Sequence, residues 1–357
     1  MPLWKIDAKR KELPPSMVAG ETDSPYRNRS GDPAEQQELD RLYAAAHGEG
    51  SLNLYLSGPW AWCRRSADRF AQRFPGIRVN LATGYSATLA RAIDVQRRGA
   101  APGPDLAVLQ SVDDVERWAS QGLLAPLRPP GSDQVMPAFI DPEGRYTGVE
   151  VNGLGYAYNP DLVAADEAPA SAVDFLDQRF GGRVVSGFPH RDDLVLYLYH
   201  GLVERHGWRY VHQLLERRTA FVDGHGPLVQ RVAAGDFAVT FDAALGLALS
   251  ANRQGARIEI RVPDQEPMPV WAQTAAVFRD APHPNTARLY LAWCLSEAEQ
   301  RLVAENGSWP VRLDVPPPAR LRPLSDYRLA DGFGEFLRER ALVAELRERL
   351  ERYVGSP

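Results

Sequence analysis

Three short β-rich runs, each closing in small or polar residues just before a helical pattern, constrain this chain more than any other feature. They read SLNLYLSGPW (51–60), GIRVNLATGYS (76–86) and PDLAVLQSV (104–112), and a fourth run, YTGVEVNGLGYAYNPDL (146–162), leads away into a second lobe. Open α/β sheets present their ligand crevice at the carboxyl ends of the strands, where such switches occur. The order of elements therefore predicts a binding cleft before any catalytic motif is sought.

Between these runs, AEQQELDRLYAAAHG, WCRRSADRFAQRF, SATLARAIDVQRRG and DDVERWASQG carry apolar residues at helical spacing, with Ser86 placed to cap its helix. The alternation βαβαβα implies a largely parallel sheet with helices on both faces. After Pro160 a second unit begins: VDFLDQRF reads as helix, GGRVVSGF as strand, DDLVLYLYHGLVERHG and WRYVHQLLERR as helices. PLVQRVAAG, FAVTFDA, AALGLALSANRQG and ARIEIRV continue as helix, strand, helix and strand, and PMPVWAQTAAVF reads as a strand returning to the first lobe. Two connections, near 150–160 and 265–275, would make a hinge. The expected division is a polar arm over 1–34, a first lobe over 35–152 plus 270–325, a second lobe over 153–269, and a C-terminal helix in 326–357. That helix presents Phe336, Leu346 and Leu350 for packing on the second lobe.

A length of 357 residues favours two lobes over one core. The net charge of -5 lacks the basic footprint of a nucleic-acid binder, and no apolar run approaches the 18 or so residues of a membrane span. The first residues are polar and lack the apolar core of a signal peptide, so either an exporting segment has been removed or the protein is made without one, and a cytoplasmic location stays open. Cys63 and Cys294 stand far apart in helical patterns and read as small apolar residues, with pairing left open. There is no GxSxG, P-loop, GxGxxG or HExxH. No catalytic residue, metal or cofactor is assigned, and a monomer is expected.

With these segments in place, the chain resembles the periplasmic solute-binding proteins of ABC importers, in the group that includes ferric-iron and sugar-phosphate binders. LDRLYAAAHGEGSLNLYLSG, FAQRFPGIRVN, PDLAVLQSVDDVERWASQGLLAPL, DPEGRYTGVEVNGLGYAYNPDLV, VQRVAAGDFAVTF and APHPNTARLYLAWCLSEAEQRLVAENGSWPVR carry the resemblance, from Leu39 to Leu324. It implies a two-lobed periplasmic-binding-protein-like α/β fold of class II, each lobe a mostly parallel sheet flanked by helices, joined by a two-strand hinge. It also implies capture of a small polar solute in an interlobe cleft by hinge closure, an ABC permease as partner, and a periplasmic or extracellular location. By position, the first-lobe contacts would be Ser57, Gly58, Pro59, Trp60, Thr83, Gly84, Tyr85, Ser86, Gln110 and Ser111. The second-lobe contacts would be Pro189, His190, Arg191, Asp192, Asp223, Gly224, His225, Phe241 and Asp242, with Glu150 and Asn152 flanking the hinge.

The chemistry of these positions favours an anion. Thr83–Ser86 and His190–Asp192 each precede a helix, whose free N–H groups and dipole suit a carboxylate, phosphate or sulfonate, although Ser86 and Asp192 also suit plain caps. Arg191 offers a bidentate donor or a surface salt bridge, and Trp60 and Tyr85 offer ring stacking or packing. Ferric binders of the resembled group place adjacent tyrosines after the strand that here reads DFAVTFDAALGLAL. This chain has Phe241-Asp242-Ala243-Ala244 there, and Tyr197 and Tyr199 would face different sides of their helix, which disfavours iron. His190, His225, Asp223 and Asp242 could gather on a divalent ion, though none is assigned. The alternative is a cytoplasmic protein of the same fold recruited as an enzyme of small-molecule biosynthesis. Its candidates would be His190, His200 or His225 with Glu150, Asp223 or Asp242 as acid/base partners.

Overall fold

The computed structural model describes residues 32–58, 60–99, 103–330 and 332–355, so Pro59 and most of the N-terminal arm lie outside the described residues. The chain divides into two units, the first running to Val149 and resuming at Gln273–Gln300 and Val311–Asp314, the second comprising Glu150–Ala272, Arg301–Pro310 and everything from Val315. Both long crossings fall inside strands. The sequence pattern carried the first lobe to 325, but 301–310 and the residues after Asp314 join the second unit. Trp309 pairs with Val151 across an antiparallel bridge and meets Tyr327 edge-on at 5.9 Å, which ties that segment down.

The first unit begins with α1 (Pro33–Ala46), started by Asp32, whose side chain accepts from the Ala34 N–H at 2.9 Å, and by Pro33 in the first turn, where a missing N–H costs nothing. Then come β1 (Ser51–Ser57), α2 (Trp60–Arg73), β2 (Arg78–Gly84), α3 (Ser86–Arg98), β3 (Leu106–Leu109) and α4 (Val112–Ser120). β1 pairs parallel with both β2 and β3, Ser57 opposite Gly84 and Leu56 opposite Val108, so the three carboxyl ends share one edge. Buried Leu89, Ile93, Trp118 and Phe278 pack one face of this sheet.

β4 (Thr147–Tyr158) is buried along its whole length and carries the chain into the second unit. Where a helix was expected over VDFLDQRF there are two short 3-10 turns, Ala172–Leu176 and Gln178–Phe180. Asp174 closes a capping box with Ser171 that starts the first turn, but Asp177 is in extended backbone, ends that turn, and accepts from the Arg179 N–H that a continuous helix would need. β5 (Val185–Gly187), α5 (Asp193–Glu216), β6 (Ala220–Val222), α6 (His225–Ala233), β7 (Val239–Ala244), α7 (Leu245–Arg253) and β8 (Glu259–Arg261) follow. α5 is broken at Gly207, whose φ of 72° and ψ of 168° leave the helical region. β5 runs parallel to β6 and, through a Val184–Val239 bridge, to β7, while β4 lies antiparallel to β7 and β8.

β9 (Met268–Val277) returns the chain, and its far half pairs antiparallel with β3. α8 (Pro284–Leu295) completes the first unit's helical cover, Phe70 of α2 meeting Tyr290 of α8 at 5.0 Å, and α9 (Glu297–Glu305) begins in the first unit and ends in the second. The first turn of α8 is held by Glu49, which accepts from the N–H groups of Asn285 and Thr286. β10 (Leu329–Ala330) adds to β9, and the C-terminal helix is two pieces, α10 (Phe333–Arg338) and α11 (Arg340–Val354), broken at Glu339. Phe336, Leu346 and Leu350 are buried in the second unit's core with Leu196, Tyr199 and Val211 of α5. Cys63 and Cys294 are not joined by a disulfide.

Candidate functional site

In each unit the parallel strands end at one edge and hand the chain to helix N-termini, and nearly all the residues singled out from the sequence stand there. In the first unit, Ser57 ends β1, is 3% exposed, donates to Gln273 Oε1 at 3.1 Å and accepts from the Gln110 N–H at 3.2 Å. The same N–H reaches Ser86 Oγ at 2.9 Å. Ser86 is thus not the cap of α3 but its first helical residue. Tyr85 occupies the cap position without capping the helix through its side chain. Ser111 likewise precedes α4 without capping it, and its buried Oγ has no partner among the described residues. Trp60 opens α2 and Tyr85 follows β2, at 56% and 53% exposed. Gly58 donates its N–H to the Gly84 carbonyl at 3.3 Å, and Thr83 is half-buried.

The second unit is built differently. Glu150 and Asn152 on β4 form a buried network with Ser308: Asn152 Nδ2 donates to Glu150 Oε1 at 2.8 Å, and Ser308 Oγ lies 2.7 Å from that oxygen. Asp242, fully buried at the end of β7, accepts from Gly187 N at 2.7 Å, Ser186 Oγ at 3.0 Å and Thr240 Oγ1 at 2.7 Å. Burial pushes its carboxyl above the usual range against those donors. Phe241 turns the other way, 3% exposed and edge-on to Phe175 at 5.4 Å, a core residue and not part of the strand-end face.

Asp192 caps α5, accepting from Leu194 N at 2.9 Å and Val195 N at 3.2 Å, so of the two roles the sequence left open it takes the plain cap and those N–H groups are occupied. Its other oxygen lies 3.4 Å from His225 Nε2. Burial opposes both charges, yet the contact wins: the Asp192 carboxyl is held below its ordinary range, and the imidazole of His225 is raised by Asp192 and by the charge of Asp242. His225 is the first residue of α6, set there by Gly224, whose φ of 88° reverses the chain after β6. Arg191 grips Asp223 with two bonds of 3.1 Å, Nε to Oδ1 and Nη2 to Oδ2, at the surface. His190 sits edge-on to Phe188 at 5.5 Å with its Nδ1 buried and unpartnered among the described residues, and burial lowers its pKa. Among the described residues no group of three or more His, Cys, Asp and Glu side chains is arranged to hold a metal ion.

Four residues of these edges escaped the sequence: Gln273 and Trp271 on β9, Ser186 on β5 and Thr240 on β7. A strand reading treats such residues as core. The available signal was a polar residue inside an apolar run, as in PVWAQTAAV, VVSGF and VTFD.

Residues 65–322 match the family described as bacterial extracellular solute-binding protein. The chain belongs to that family. It is a solute-binding protein of ABC-importer type, and its fold is the two-lobed α/β fold of the periplasmic binding proteins. Among solved structures it is similar to the periplasmic binding protein AfuA from Actinobacillus pleuropneumoniae with exogenous fructose-6-phosphate bound, at 19% identity and a TM-score of 0.68, over 86% of this chain and 99% of that one. Iron-bound HitA from Pseudomonas aeruginosa matches at 22% identity and 0.67, over 86% and 99%. The apo ferric ion-binding protein A of Pasteurella haemolytica matches at 13% identity and 0.65, over 86% and 100%. One scaffold thus serves an organic phosphate in one neighbour and iron in another, and side chains at the strand ends must decide which solute this solute-binding protein takes.

Proposed function

We propose that this protein captures a small anionic organic solute at the strand ends of its two units, closing on it by hinge motion, and delivers it as a monomer to an ABC permease outside the cytoplasm. The observation that carries the reading is the donor-rich chemistry of those ends. The N-termini of α3 and α4 lack side-chain caps, Ser111 Oγ and His190 Nδ1 are buried without partners among the described residues, and His225 is raised toward its charged form. Such helix N-termini, a hydroxyl and an imidazolium suit a carboxylate, phosphate or sulfonate. The family assignment favours capture over turnover.

Iron fits poorly. Where a phenolate pair would be needed after β7 the chain offers buried Phe241 and Asp242. Of the nearby tyrosines, Tyr197 packs against Phe333 and Phe336, and Tyr199 is buried with its phenol 3.1 Å from Ser186 Oγ. Burial raises the Tyr199 phenol well above its ordinary value, the opposite of what a phenolate ligand requires.

The test is calorimetric titration against sugar phosphates, phosphonates, dicarboxylates, amines and ferric citrate. Saturable one-to-one binding of an anion recovered unchanged supports the reading. Selective binding of the amine or the ferric ion overturns it, and chemical conversion of the bound compound replaces capture by catalysis.

A further inference from the structure

Trp271 on β9 is 8% exposed, and its Nε1 is buried with no acceptor among the described residues. A buried indole N–H almost always finds a partner, because leaving it unpaired forfeits the hydrogen bond it made to water. Its ring lies nearly parallel to that of His225, 6.4 Å between centroids and 18° between planes. His225 opens the nine-residue helix α6, at whose N-terminus Gly224 supplies no side-chain cap. Neither imidazole nitrogen makes a well-aligned hydrogen bond among the described residues, the approach to Asp192 being 3.4 Å.

The charges facing this pair decide what would fill it. Asp192 already serves two α5 N–H groups and His225, and Asp242 already accepts from Gly187, Ser186 and Thr240. Those carboxyls balance the imidazole's charge but reach no further, so the spare indole N–H beside the positive end of α6 still lacks an acceptor among the described residues.

We propose that Trp271 Nε1 and His225, at the N-terminus of α6, form an oxyanion subsite that takes one oxygen of the solute's phosphate, phosphonate or carboxylate group. The subsite lies wholly within the second unit, makes Trp271 a binding residue, and rests on the reading of the solute as an anion. A bridging oxygen would satisfy both rings at once, and the indole supplies a donor that stays put when the imidazole titrates.

The experiment follows the indole N–H resonance of Trp271 in the full chain, identified by its loss in Trp271→Phe, during titration with inorganic phosphate. That resonance should move saturably, and Trp271→Phe should weaken phosphate binding about tenfold, as loss of one bond to a charged group does, while the unliganded melting temperature holds. Phosphate that leaves the resonance still, or binds Trp271→Phe as tightly as the wild type, overturns the subsite. Whether the anion reading falls with it is decided separately by the titration panel: an organic anion bound without moving Trp271 keeps the reading and places the oxyanion elsewhere.

Discussion

The two units end their parallel strands at one edge each, yet they finish those edges with opposite chemistry. The first closes its network with neutral groups, Ser57, Ser86, Gln110 and Gln273 sharing hydrogen bonds that no proton gain or loss would break. The second closes its network with titratable groups, Asp242 under β5 and β7, and Asp192 against His225. A hydroxyl–amide network trades partners cheaply, since each member both donates and accepts. Asp242 accepts three bonds at once, and removing it strands every donor around it. The first edge can thus rearrange its hydrogen bonds at little cost, while the second is held in place by its carboxyls.

Removing the fixed carboxyl is the most direct way to break this contrast. Asp242→Ala leaves Ser186 Oγ, Gly187 N and Thr240 Oγ1 without their shared acceptor, and should destabilise the protein by about 3–5 kcal/mol in urea unfolding. Ser57→Ala, at the matching position of the first unit, should cost only about 1 kcal/mol, because the Gln110 N–H keeps Ser86 Oγ. Similar losses from both substitutions would mean that the first network is as rigid as the second.

Acidity separates the units next. The His225 imidazole is raised in the folded state, so its contribution is fully present below the ordinary imidazole value of 6.5 and is lost as pH rises through the raised one. Asp192 is lowered, so its contribution is present above the ordinary 3.8 and is lost as pH falls through the lowered value. Asp242 is raised, so protonating it favours the fold, and that gain is lost as pH climbs through its folded value. Above 6.5 the contribution of His225 is lost as pH climbs through its raised value, so the melting temperature should fall there, whereas His190, lowered by burial, adds stability only as pH rises toward 6.5. His225→Gln should flatten the slope and Ser57→Ala should leave it intact. A slope that survives His225→Gln assigns the proton to another group.

Tyr199→Phe sharpens the contrast at smaller scale. The lost phenol costs about 1 kcal/mol, since Ser186 Oγ keeps Asp242, and solute affinity should be unchanged in calorimetry. A loss of ferric binding in this variant would contradict the exclusion of iron.

The fold was legible where local and global signals agree. The ends of β1, β2 and β3 are marked by Ser57-Gly58, Thr83-Gly84 and Gln110-Ser111 closing β-rich runs, and the break in α5 by Gly207. It was illegible at 172–180, where an apolar helical spacing hides acids that bond the local backbone. At the edges, the sequence located loops but not side-chain directions. Phe241 and Asp242 are neighbours of opposite fate, and alternation along β7 alone does not tell which one meets the core. Trp271 was missed for the converse reason: a tryptophan in a strand reads as core, and only the missing acceptor at its Nε1 marks it as more.

The smallest effect tests how fixed the second edge is. Of the two roles the sequence leaves open for Arg191, anion donor or surface salt bridge, the structure shows the second: both of its bonds go to Asp223, and the two side chains are 42% and 43% exposed. Exposed pairs of this kind contribute about 0–1 kcal/mol. Arg191→Ala should therefore shift stability by less than about 0.5 kcal/mol and weaken phosphate binding by less than about threefold, against about tenfold for Trp271→Phe. A fall beyond tenfold would mean that the guanidinium leaves Asp223 for the solute, since a fork of two 3.1 Å bonds at the surface is weak enough to be outbid by a phosphate. The second unit would then hold a movable cation beside its fixed ones, and its difference from the first would be one of charge alone, not of rigidity.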